Sequence, residues 1–174
     1  MTESLTKENP ERYSGDLAAC YNNAGGFYKC QGNHSKAEEH FLRAIEIRER
    51  LAKENPERYS GDLAASYNSA GDFYDEQGNP AKTEEYYLKA IETYEKLTKE
   101  NPARYNPDLA VSYFYFANFK KDNTFFEKAL EFARTVPEHP QCMQIIEMAD
   151  EWYENTGARK KKPWYKRINS LFKK

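Results

Sequence analysis

A chain that repeats itself at a fixed period folds into units that repeat too, and here the period is 46 residues. The segment LTKENPERYSGDLAACYNNAGGFYKCQGN from Leu5 returns as LAKENPERYSGDLAASYNSAGDFYDEQGN from Leu51, and LTKENPARYNPDLAVSYFYFANF follows from Leu97. Between the first two copies 31 of 46 positions are identical. Chance does not produce such a match, so a short supersecondary unit has been duplicated, and each copy must bury its apolar face against a neighbour.

Each copy reads as two helices. In the first, Leu17, Tyr21, Ala24, Gly25 and Tyr28 recur at spacings of three and four and form one packing stripe. Asp16 stands near its start, where the helix dipole favours an acid, and Gly32-Asn33 ends it. The second helix spans about Ser35 to Lys53, with Ala37, Phe41, Ala44, Ile45 and Leu51 on its inner side, and stops before Asn55-Pro56. Pro80 falls in a first turn, where proline is tolerated. The third copy keeps Tyr113, Phe116 and Ala117, but FFEKALEFA from Phe125 aligns with YYLKAIETY only after a seven-residue deletion. A further helix is expected from about Pro140 to Asn155, where Ile145, Met148, Ala149 and Trp152 recur at helical spacing and cover the last apolar face.

The order Tyr21, Ala24-Gly25, Tyr28, Gly32, Ala37, Phe41, Ala44, repeated as Tyr67, Ala70-Gly71, Tyr74, Gly78, Thr83, Tyr87, Ala90, resembles the signature of the tetratricopeptide repeat (TPR) family. Gly25, Gly71, Ala44 and Ala90 have a physical reason to be small, since helices approach closely where no bulky side chain intervenes. The period exceeds the family's 34 residues by twelve, which fall in RERLAKENPERYSGDLA and lengthen both helices. In this the chain is similar to the extended repeats of the kinesin light chain kind and to bacterial TPR proteins. The resemblance covers about residues 5–136 and implies an all-α solenoid of helix-turn-helix units, wound as a right-handed superhelix and closed by a C-terminal capping helix. The expected divisions are repeats over 1–136 (about 5–50, 51–96 and 97–136), a cap over 137–156 and a tail over 157–174.

The resemblance also implies a concave face on the first helices, between the packing positions. In the first copy it offers Ala19, Asn22, Asn23, Gly26, Lys29 and Cys30; in the second Ala65, Asn68, Ser69, Asp72, Asp75 and Glu76; in the third Val111, Phe114, Tyr115, Asn118 and Lys121. Asparagine amides there suit the backbone of an extended peptide. TPR proteins that clamp an acidic peptide terminus need Lys or Arg beside those asparagines. The second copy has Asp72, Asp75 and Glu76 instead, so the expected partner is a protein or peptide with basic groups. The leading function class is an interaction module or scaffold; the alternative is a self-assembling array or a peripheral anchor.

Composition narrows the rest. Hydrophobic residues are 39% and charged residues 31%, with a mean hydropathy of -1.01, so much of the surface is solvated. Fourteen Tyr and ten Phe argue against disorder. Cys20, Cys30 and Cys142, odd in number and without CxxC spacing, read as reduced, small packing residues. No apolar run reaches the roughly eighteen residues that span a bilayer, and a soluble cytoplasmic protein is expected. The net charge of -2 hides an asymmetry: residues 159–174, RKKKPWYKRINSLFKK, hold eight basic residues and no acid, against 18 basic and 28 acidic elsewhere. Trp164, Ile168, Leu171 and Phe172 give that tail an apolar stripe. It suits a docked end helix, a segment on an anionic membrane surface, or contact with an acidic groove or nucleic acid; nucleic acid is the least expected partner.

Nothing in the sequence carries catalysis. His34 and His40 have no third ligand at metal spacing and become Pro80 and Tyr86 in the second copy. His139 stands apart. Glu38-Glu39 and Glu84-Glu85 fall on expected outer faces, where carboxylates titrate normally. Gly25-Gly26 has no preceding strand, so it is no phosphate loop. No metal, cofactor or small-molecule substrate is expected.

Overall fold

The computed structural model describes residues 10–156, with their side chains over 13–150. The tail, Leu5 and the side chain of Trp152 lie outside that range. The described residues form seven helices and no strand: α1 Pro10–Cys30, α2 His34–Glu54, α3 Pro56–Glu76, α4 Pro80–Glu100, α5 Pro102–Lys120, α6 Asn123–Ala133 and α7 Pro140–Thr156. The chain is thus an all-α helical repeat protein. Its two compact units divide between Thr93 and Tyr94.

The twelve extra residues of the period go into the helices, since α1 to α4 each run for 21 residues. Asn55-Pro56 was expected to stop a helix and also starts the next. Asn55 ends α2 by donating its backbone N–H to Leu51 O, while its side chain accepts from Arg58 N, 3.2 Å away, with Pro56 at a helix start that lacks a partner for an N–H anyway. Asn33, Asn79 and Asn101 cap α2, α4 and α5 in the same way. Within the first two pairs the turn is a left-handed glycine: Gly32 and Gly78 have φ of 70° and 65°, letting Asn33 N reach Tyr28 O and Asn79 N reach Tyr74 O at 2.9 Å. α1 begins at Pro10, six residues ahead of Asp16.

In the first unit the core is Ala37, Phe41 and Ile45 of α2 against Leu63, Tyr67, Ala70, Phe73 and Tyr74 of α3, with Ala90 of α4. All five residues expected on the inner side of α2 are buried. Helices pack closely at Gly25 and Gly71, where an added Cβ would lie 2.8 Å from the Phe41 ring and 2.6 Å from the Tyr87 ring. Leu17 departs from the expected stripe: it is 44% exposed, whereas its equivalents Leu63 and Leu109 are buried. α2 covers α3 on that side, and no described element does so for α1. The same reason exposes Cys20, the equivalent of buried Ser66; Cys30 corresponds to the exposed Glu76, and of the three cysteines only Cys142 packs in a core.

The second unit buries Leu109, Tyr113 and Phe116 of α5 with Phe126 and Leu130 of α6 and Cys142, Ile145 and Ala149 of α7. α6 is only 11 residues long, where the seven-residue deletion falls. Among the described residues no helix is long and apolar enough to cross a membrane.

Candidate functional site

In the first unit, α1 and α3 present the expected polar face. Asn22 and Lys29 lie two turns apart on α1, and Ser69, Asp72 and Glu76 fall at matching spacings on α3. The Lys29 ammonium reaches Asp72 at 2.5 Å and Glu76 at 3.0 Å, and Asn22 Nδ2 donates to Ser69 Oγ at 3.4 Å. Ser69 Oγ in turn donates to Ala65 O. The Asn22 Oδ1 is buried and accepts no hydrogen bond from the described residues. Burial alone would lower the Lys29 pKa, but hydrogen bonds to Asp72 and Glu76 reverse that and raise it. Asn23, Asp75 and Glu76 are exposed and Asn68 is half-buried.

One basic group therefore stands between two acids, and the contrast between copies at Lys29 and Glu76 has become a contact. The first copy's cation sits on the second copy's anions. In the second unit the aromatic pair is split. Phe114 is 9% exposed and packs on Phe126, with ring centroids 6.3 Å apart, because its direction on α5 faces α6; it is a core residue, not a groove residue. Tyr115 is exposed and Asn118 half-buried.

Sequence reasoning missed a second polar cluster. Glu38 accepts from Tyr74 Oη (2.7 Å) and from Lys82 Nζ (2.8 Å), while Lys82 also donates to Tyr74 Oη and lies over its ring. Gln77 donates to His34 Nδ1 (2.8 Å) at the edge of the same cleft, about 310 Å³ in volume. Hydrogen bonds from Lys82 and then Tyr74 hold the Glu38 carboxyl below its ordinary range. Burial, with Glu38 beside it, pushes the Tyr74 hydroxyl up to about 12. Glu38 thus does not titrate as the ordinary carboxylate expected, though its side chain stays partly exposed. Three turns along α2, Glu49 accepts from Tyr67 Oη (2.7 Å), and Glu95 accepts from Tyr113 in the second unit. The recurrence of Glu49 at Glu95, with Tyr67 at Tyr113, was the available signal: a polar pair repeated at the period has a partner repeated with it.

Residues 16–96 match the family model described as tetratricopeptide repeat. Among solved structures the chain is similar to a crystal structure of a de novo designed helical repeat protein, at 16% identity and a TM-score of 0.35, covering 98% of this chain and 86% of that one. No curated protein matches. The helix pairs of residues 16–96, with their glycine turns and small residues at the helix contacts, match the tetratricopeptide repeat family.

Proposed function

We propose that the polar face of α1 and α3 binds an extended protein segment carrying basic side chains, and that the protein is a non-catalytic interaction module. Tetratricopeptide repeats generally mediate protein–protein interaction. The observation that carries the finer reading is the arrangement of Lys29 between Asp72 and Glu76, with Asp75 beside them. An ammonium already occupies the two carboxylates, so this surface is built to accept a cation, and the acids outnumber the internal one. Asn22, Asn23 and Asn68 supply amides for a peptide backbone, and Ser69 fixes Asn22. Tyr115 and Asn118 offer the second unit an aromatic and an amide of their own.

The test is a fluorescence-polarisation titration of the full chain with a Lys-rich peptide and an acidic peptide of equal length, in physiological salt. The basic peptide binds and the acidic one does not. Glu76→Lys weakens the basic peptide by about tenfold or more, and Lys29→Ala strengthens it by removing the internal competitor. Equal affinity for both peptides sinks the reading.

A further inference from the structure

α1 has a second exposed surface, on the side away from Asn22 and Lys29. Tyr13, Leu17, Tyr21, Ala24, Phe27 and Tyr28 lie along it, and all are more exposed than their equivalents on α3. Phe27 is 60% exposed and Phe73 is 2% exposed. The side chains are the same in the two copies at these six positions; what differs is the cover. On α3 that cover is α2, which runs antiparallel and places Phe41 against Phe73 (ring centroids 5.6 Å), Glu38 at the Tyr74 hydroxyl and Glu49 at the Tyr67 hydroxyl.

The open surface keeps the polar half of this arrangement as well. Lys36 lies over the Tyr28 ring at 5.1 Å, as Lys82 lies over Tyr74 at 4.4 Å. Lys82 shares the Glu38 carboxylate with Tyr74; among the described residues Lys36 and Tyr28 meet no carboxylate. An ammonium lies over a phenol ring, beside an exposed phenylalanine, and their complement is an anion on an apolar helix. The second helices of the first two pairs, α2 and α4, carry that complement in one pattern. A glutamate is followed by an aromatic three residues on, isoleucine seven on and glutamate eleven on: Glu38, Phe41, Ile45, Glu49 and again Glu84, Tyr87, Ile91, Glu95. Those spacings place all four on one helical face.

We propose that this face of α1 is a docking surface for an amphipathic helix of that pattern, supplied by another protein and laid antiparallel to α1, with its first glutamate between Tyr28 and Lys36. Phe27 is the apolar anchor, and the two hydroxyls fix the register. The polar face of α1 and α3 is a separate site, so one helix serves two partners on two sides.

The probe is a labelled peptide with the sequence of residues 34–54, titrated into the full chain. Saturable one-to-one binding is expected. Phe27→Glu, at a position too exposed to be needed for folding, weakens it at least about tenfold while leaving the thermal midpoint and the affinity for the basic peptide unchanged. Glu38→Gln in the peptide weakens binding about threefold to tenfold, and that loss disappears when the chain carries Tyr28→Phe and Lys36→Met. Phe41→Ala in the peptide weakens binding with the protein untouched. Absence of binding at about millimolar peptide, or binding that ignores Phe27→Glu, overturns the proposal. So does a dimer in the absence of peptide that Phe27→Glu dissolves, since the face then belongs to a second copy.

Discussion

Phe27 and Phe73 hold the same place in two copies of one sequence, yet α2 lies over the second and no described element lies over the first. The same holds for Leu17 and Leu63, and for Cys20 and Ser66. Identical side chains thus carry different free energies, because the hydrophobic effect acts on area removed from water and not on residue type. In a repeat protein the energy of a residue belongs to the interface between copies.

The largest expected effect follows directly. Phe73→Ala removes a ring packed on Phe41 and leaves a cavity, costing about 3–5 kcal/mol by denaturant unfolding. Phe27→Ala costs less than about 0.5 kcal/mol, as for an ordinary surface substitution. Comparable losses at both positions mean that α1 is covered in solution and break the comparison.

A smaller effect tests where the copies are alike. Gly25 and Gly71 each face a buried ring of their own pair, Phe41 and Tyr87, at a distance too short for an added side chain. Gly25→Val and Gly71→Val are each expected to lower stability by about 1–3 kcal/mol. Gly26 faces open space, and Gly26→Ala raises stability by up to about 1 kcal/mol through helix propensity. Thermal melts of the three variants separate a crowded glycine from a merely flexible one.

These contacts explain how much the sequence could reveal. The period, the helix pairs and the inner residues of α2 were legible because apolar spacing and small residues are set locally and repeated. Asn55-Pro56 was read as a stop and not as a restart, since a proline that ends one helix suits the first turn of the next. The site was harder to read. Lys29 and Asp72 are 43 residues apart, and nothing in either copy alone says that they meet. Phe114 looked like a groove residue by alignment with Asn68, but phenylalanine in that register turns into the core whenever a neighbouring ring such as Phe126 offers apolar area.

A further contrast concerns Arg48. It is buried, with Nη1 donating to Asp62 O (2.9 Å) and Ser66 Oγ (2.5 Å). Ser66→Ala removes one acceptor from a buried cation and is expected to cost about 1–2 kcal/mol. Cys20→Ala, at the equivalent exposed position, changes stability by less than about 0.5 kcal/mol. Equal losses would show that Ser66 contributes only packing.

The smallest effect is electrostatic and distinguishes the second copy's complete Tyr74–Glu38–Lys82 cluster from the Tyr28–Lys36 pair. Hydrogen bonds from Lys82 and Tyr74 depress the Glu38 pKa below its ordinary value of 4.5. A carboxyl depressed in the folded state adds stability above its unfolded value, and that contribution is lost as pH falls through the folded value. Wild type should therefore exceed Glu38→Gln in stability at pH 7 and converge with it as pH falls through the depressed folded value. The side chains of Glu38 and Lys82 remain 39% and 43% exposed, so water screens the pair and the difference at pH 7 stays under about 1 kcal/mol. Raising salt should shrink it further, because exposed ion pairs are screened. A Glu38→Gln difference that persists unchanged at pH 3 would show that the loss does not come from the charge of Glu38. Glutamine keeps an acceptor for that hydroxyl, so the pH dependence, and not the size of the loss at neutrality, separates the two contributions.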